Sequence, residues 1–183
     1  MDEYIDIADK NGDLTGKAEL KSIIHQKGLY HHTAHIWLYT EKGEILLSQR
    51  SASKSICPLM WDVSVAGHVD SGESILDGAI RECKEEIGLT LREADLIKIG
   101  VFKCFQKYDS GIEDNEFHNT FIAQLKIPLS ALTPQKEEVE ALKLVSFDAF
   151  KALLKRSETN NHFVASNTPY YEKVLQSIQK LLS

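Results

Sequence analysis

Residues 3–9, EYIDIAD, alternate between apolar and polar positions, the period of a half-buried strand. The turn-rich DKNGDLTGK that follows predicts a hairpin. After a short helical or irregular piece, AELKSIIHQKG, comes HTAHIWLYTEKGEILLSQR, which reads as two strands joined at Glu41-Lys42-Gly43-Glu44. SASKSICPLMW is expected to be a loop and WDVSVAG one short buried strand. LIKIGVFKCFQKY and EFHNTFIAQLKI are two further strand candidates on either side of the polar loop DSGIEDN. VSFDAFKALLKR and PYYEKVLQSIQKLL carry helical periodicity, the first capped by Ser146. The pattern predicts a mixed sheet with helices on both sides. No repeat, linker or low-complexity tract divides residues 1–183, so a single domain is expected.

Between these elements lies a helix with an unusual polar face. In GHVDSGESILDGAIRECKEEIGL, residues 67–89, Ile80, Cys83 and Ile87 share one side with Leu76 and Ala79 beside them. Glu82, Glu85 and Glu86 fall nearly opposite, within an arc of about 100°. Ser71 or Ser74 is placed to cap the helix, and Gly88 to end it in the left-handed conformation. Gly78, beneath the acids, would leave room for something bulky to approach. Like charges at this spacing cost a few tenths of a kcal/mol per pair. Such a face makes sense if a cation belongs there.

Composition narrows the setting. The chain has 183 residues and a net charge of −6, with 43% hydrophobic residues. That balance argues against a general nucleic-acid binder, which needs basic stripes to neutralise phosphates. Cys57, Cys83 and Cys104 have no CxxC spacing and read as reduced thiols. The N-terminal MDEYIDIADKNGD lacks an apolar core, and no apolar run approaches the roughly 18 residues of a membrane span. A cytoplasmic protein is expected, without nucleic-acid or membrane partners.

The acids also stand in a fixed frame. Gly67, five residues, Glu73, seven residues, then Arg81-Glu82-Cys83-Lys84-Glu85-Glu86-Ile87-Gly88-Leu89 resembles the Nudix box, G-x5-E-x7-R-E-U-x-E-E-x-G-U, where U is apolar. All seven fixed positions match, a coincidence on the order of 10⁻⁸ at a given start if each residue type has a frequency near 7%. The resemblance implies an α/β Nudix fold, an α/β/α sandwich with a mixed β-sheet between helices. It also implies Mg²⁺ or Mn²⁺ as cofactor and a diphosphate as substrate. Glu82, Glu85 and Glu86 would be ligands, with the carbonyl of Ala66 or Gly67 joining them and Glu73 belonging to the same set. Arg81 would orient the acids, plausibly through a bidentate contact with Glu73. Glu82 or Glu116 would take the proton of the attacking water.

Over most of residues 4 to 150 the chain also resembles isopentenyl diphosphate isomerase, a Nudix-fold enzyme. The shared features are the DKNGDLTGK-like start, His25-x6-His32, QRSASKSICPLMW, Gly67-His68 and Asp114-x-Glu116. The resemblance implies a second metal site at His25, His32, His68, Asp114 and Glu116, ligand types that suit Mn²⁺ or Zn²⁺. It also implies a phosphate-binding pair at Arg50 and Lys54, while Trp61, at the start of a strand, is a candidate to line the pocket, with a core position as its alternative. The isomerase has a catalytic cysteine immediately before Gly-His, and this chain has Ala66, which cannot transfer a proton. The isomerase box is commonly eroded, whereas this one is intact. The expected function is therefore metal-dependent hydrolysis of a nucleoside diphosphate linked to another moiety. The rivals are the isomerase and a non-catalytic, nucleotide-binding regulatory Nudix domain. A homodimer is left open, since family members often dimerise.

Overall fold

The first alternating stretch does become a strand. In the computed structural model, which describes residues 3–108, 111–156 and 168–183, β1 (Tyr4–Ala8) and β2 (Leu14–Leu20) form the expected antiparallel hairpin. A short helix α1 (Lys21–Lys27) follows and ends at Gly28, whose φ of 60° is left-handed. Two strands come next, β3 (His31–Tyr39) and β4 (Glu44–Arg50). They share the expected turn but pair only at Tyr39↔Ile45 before they splay apart. Ser64 spans the gap, its hydroxyl accepting from Leu38 N (2.8 Å) and donating to Leu46 O (2.6 Å).

That wedge explains a difference from the sequence reading. WDVSVAG is two short strands, β5 (Trp61–Asp62) and β6 (Val65–His68). β5 adds to β4, and β6 to β3. The helix α2 (Ile75–Ile87) then crosses one face. β7 (Ile97–Lys107) and β8 (Glu113–Gln124) follow as an antiparallel pair. β8 begins inside the stretch expected to be a polar loop, of which residues 109–110 lie outside the described residues. β8 runs parallel to β3 along its length, from His31↔Glu116 to Tyr39↔Gln124.

The sequence reading missed β9 (Val139–Ser146), which pairs antiparallel with β4 from Glu44↔Ser146 to Arg50↔Val139. Its alternation is weak, so only the partner strand makes it visible. Ser146 is nevertheless the cap of α3 (Phe147–Lys155), accepting from Ala149 N at 3.2 Å. The last helix is α4 (Thr168–Leu182).

The sheet is mixed and nine-stranded. On one face, Ala79, Cys83 and Ile87 of α2 pack on Ala34, Ile36, Leu38 and Phe121. On the other, Tyr170, Tyr171, Val174, Leu175 and Ile178 of α4 and Phe150 of α3 pack on Trp37, Ile45, Leu47 and Ile122. Each such fully buried side chain is worth about 1.5–3 kcal/mol relative to exposure. This is the expected α/β/α arrangement. Among the described residues no helix is long and apolar enough to cross a membrane.

Candidate active site

Helix α2 starts where Ser74 Oγ accepts from Asp77 N (3.1 Å) and stops at Gly88, φ 70°. Ser71 is therefore not the cap, and its hydroxyl donates to Asp6 instead (2.6 Å). Nearly two turns into the helix, Arg81 gathers the acids. It grips Glu73 through Nε (3.0 Å) and Nη2 (2.9 Å), a bidentate pair. Its Nη1 donates to Glu82 Oε1 (2.8 Å) and Glu85 Oε2 (3.1 Å), and Nη2 also to the His68 carbonyl (2.9 Å). The hydrogen bonds to Glu73 and the surrounding carboxylates hold the guanidinium well above its ordinary pKa.

The neighbouring strand leaves space for this face. A Cβ on Gly67 would lie 2.0 Å from Glu82 Cδ, so no larger residue fits while Glu82 holds its place. Glu86 is only 8% exposed, and burial, with the charge of Glu82 beside it, pushes its carboxyl up to about 8 despite Lys54. Burial raises Glu82 as well, against the pull of Arg81.

A second cluster comes from strands. Side chains alternate along a strand, so His31, Thr33, His35 and Trp37 share one face of β3. Asp114, Glu116, His118 and Thr120 share the matching face of β8, and parallel register sets His31 opposite Glu116. His25 of α1 and His68 of β6 close in, with ligand atoms of His25, His31, His68 and Glu116 all within 4.8 Å of one another. His25 Nε2 stands 3.3 Å from both His68 Nε2 and Asp114 Oδ1. Glu116 Oε1 lies 3.5 Å from His31 Nε2 and 3.7 Å from His68 Nε2. His31 Nε2 and Asp114 Oδ1 are buried without a hydrogen-bond partner among the described residues. A cluster of imidazole and carboxylate atoms left unpaired in this way fits a divalent transition metal.

Its electrostatics are strongly perturbed. Burial would raise Glu116, but the hydrogen bond from His118 and the contact with His31 hold it well below the carboxylate range. Burial lifts Asp114 upward, aided by the charge of Glu116, and drives His68 well below its usual value. Burial pulls His118 down, yet the Cys104 thiol and the Glu116 carboxylate beside it win and push it up to about 10.

Both clusters open on one cavity of about 330 Å³. Glu82, Glu85, Glu86 and Gly67 line one part of it, and His25, His68, Asp114 and Glu116 another. Arg50 and Lys54 line it too. Arg50 is steadied by Asp62 (Nη1–Oδ2 3.4 Å) and by the Ile56 carbonyl (Nε–O 3.0 Å), and Lys54 is paired with Glu138.

Three expected positions need correction. His32 is not in the histidine cluster: it faces the opposite side of β3, bonded to Gly12 O (2.9 Å) and Asn119 Nδ2 (3.0 Å). His31 takes the place, one residue earlier. Glu73 is not a free ligand, because Arg81 occupies both its oxygens. Trp61 does not line the cavity. It packs against the second core, and Lys143 Nζ lies 3.6 Å from its ring centroid. Gly78 gives no approach path either, since Glu73 Oε2 and Val69 Cγ2 would lie 3.1 and 3.4 Å from a Cβ there.

Among the cavity residues that escaped the sequence reading are His35, Asp62, Cys104 and His118. Period two along HHTAHIW, anchored on buried Trp37, was the available signal for His31 and His35. No local signal marked Asp62 or Cys104.

Comparison with known proteins agrees with the geometry. The model of the NUDIX domain matches residues 29–166. The chain belongs to the Nudix hydrolase family. This Nudix enzyme is 36% identical over 162 residues to Nudix hydrolase 3 of Arabidopsis thaliana, matching 86% of this chain but spanning only 21% of that longer protein. It is 30% identical over 179 residues to isopentenyl-diphosphate Delta-isomerase 2 of Photorhabdus laumondii, covering 97% of this chain and 93% of that one. The Nudix enzyme thus sits in the isomerase-like branch. The crystal structure of DR0079 from Deinococcus radiodurans has the same fold, with a TM-score of 0.67 at 19% identity over 86% of this chain and 90% of that one.

Proposed function

We propose that this Nudix enzyme hydrolyses a nucleoside diphosphate linked to another moiety, with Mg²⁺ or Mn²⁺ as cofactor. The observation that carries the reading is that the box acids, His25, His68, Asp114 and Glu116 of the second cluster, and the cations Lys21, Arg50 and Lys54 line one cavity. Glu82, Glu85 and Glu86, with the Gly67 carbonyl, would hold one divalent ion, and His25, His31, His68, Asp114 and Glu116 a second. Bound there, divalent cations supply Lewis acidity to the diphosphate and a more acidic water.

The chain does the rest. Arg81 and Glu73 fix the angle at which Glu82 and Glu85 enter the cavity. Arg50, backed by Asp62, and Lys54 offer positive charge to phosphate oxygens. Glu82 or Glu116 accepts the proton of the attacking water, and Glu82→Gln against Glu116→Gln identifies which, through the pH profile that each leaves. Isomerisation is disfavoured by Ala66, although Cys104 also lines the cavity from β7.

The test is a coupled phosphate-release assay on the purified protein with Mg²⁺ or Mn²⁺, beside Glu85→Gln. The panel holds nucleoside diphosphate sugars, dinucleoside polyphosphates, ADP-ribose, NADH, CDP-alcohols and isopentenyl diphosphate. A metal-dependent substrate lost in the variant supports hydrolysis. Silence across the panel would favour a nucleotide-binding regulatory domain, and isomerised isopentenyl diphosphate without hydrolysis would overturn the argument from Ala66.

A further inference from the structure

Glu116 is held from behind as well as faced from in front. We propose that His118, His35 and Tyr170 are positioning residues that fix the Glu116 carboxylate, so that Oε2 is occupied and Oε1 is presented to the His25–His31–His68 cluster. This rests on the metal-dependent reading above but concerns residues outside the box and outside the ligand set.

The chain of contacts is continuous. His118 Nε2 lies 2.7 Å from Glu116 Oε2, while Glu116 Oε1 faces His31 and His68 at 3.5 and 3.7 Å. The last torsion of a glutamate is broad and would let the two oxygens exchange. One hydrogen bond from a fixed ring removes that freedom. The ring is fixed because it stacks on His35, with centroids 3.8 Å apart at 22°. His35 is held in turn, its Nδ1 lying 2.9 Å from Tyr170 Oη. Trp37 Nε1 donates to that same oxygen at 2.8 Å. His35 Nδ1 and Trp37 Nε1 thus converge on one phenol oxygen, which fixes the orientation of the imidazole.

All three are buried: His118 is 7% exposed, His35 8% and Tyr170 2%. Burying polar side chains beside an apolar core costs free energy that aliphatic residues would avoid. Packing of α4 therefore does not account for a hydroxyl and two imidazoles in line with Glu116. The helix that carries Tyr170 lies on the face opposite α2, so the string ties the far layer of the fold to the cavity.

The experiment titrates Co²⁺ into the purified metal-free protein, reading affinity by calorimetry and ligation by the visible absorption of the ion. The variants are His118→Leu, His118→Gln and Tyr170→Phe, with kcat and KM followed separately on any substrate found. Partners behind a metal ligand are typically worth about 10–100-fold in metal affinity. His118→Leu should lose that factor and change the Co²⁺ spectrum. His118→Gln, whose amide reaches toward Glu116, should recover most of it. Tyr170→Phe, which keeps the ring, should shift both readings the same way by less, with kcat falling more than KM rises. Should His118→Leu fail to fold, Tyr170→Phe carries the test. Folded variants with wild-type affinity and spectrum would overturn the positioning role alone. A wild type that gives no imidazole-ligated Co²⁺ spectrum would overturn it together with the second metal site.

Discussion

The cavity is built from two acidic-and-basic clusters that the chain assembles in different ways. The box acids sit within one helix turn of one another, and a single arginine, itself on that helix, orders them. The histidine cluster takes one residue from α1, one from β3, one from β6 and two from β8. In the first, the spacing along the chain is the geometry. In the second, the geometry exists only once β8 lies parallel to β3 with His31 opposite Glu116. A contiguous motif can be read as a string, whereas a cluster drawn from several strands must be read as a register.

The contrast can be broken by substitution, and the largest effect belongs to the helix. Glu85→Gln removes a carboxylate that would hold the divalent ion and should lower kcat about 10²–10³-fold, measured by phosphate release. Retained turnover would mean that the helical acids are not the catalytic ones. In the strand cluster, His31→Ala should weaken Co²⁺ or Mn²⁺ binding at least about tenfold, while His32→Ala should stay within about twofold. The reverse order, read by calorimetry, would mean that β3 presents its other face. Gly67→Ala forces a methyl into the Glu82 carboxylate and should cost about 1–3 kcal/mol in urea unfolding, with activity lost as Glu82 moves. An unchanged midpoint would show that Glu82 swings away freely.

The smallest effect is one of pH. Glu86 has its carboxyl raised from 4.5 to about 8, so the folded state binds its proton more tightly than the unfolded chain does. Stability from this group is full below about 4.5 and is lost as pH rises through about 8. His118, raised to about 10, works in the same direction above its unfolded value of 6.5. His35 and His68, both well below 6.5, have finished opposing them by then. Without divalent metal, Tm should therefore fall by a few degrees from pH 7 to pH 8, at about 2–4 °C per kcal/mol for a chain of this size. Added Mg²⁺ should close the gap, because ligation favours the deprotonated acids. A flat or rising Tm in metal-free buffer would contradict the burial of Glu86.

The same split runs through the fold. The strands with clear alternation, β1, β3, β4, β7 and β8, were legible, as were the caps at Ser74, Ser146 and Gly88. β9 was not, because its pairing with β4 supplies what its own pattern lacks. The division of WDVSVAG into β5 and β6 was equally hidden, since it follows from Ser64 bridging two strands that diverge.

By itself, then, the sequence determined the acidic helix, with Glu82, Glu85 and Glu86 on one face, and a mixed sheet with helices on both sides. Those features depend on separations within a turn or on periods of 2 and 3.6 residues, which backbone geometry dictates locally. The tertiary structure decided that His31 rather than His32 joins His25 and His68, that Glu73 is spent on Arg81, and that Trp61 packs against the second core. It also decided that Tyr170 lies in line with Glu116. Moving one residue along a strand turns a side chain to the other face, and only the neighbouring strands say which face holds the cavity.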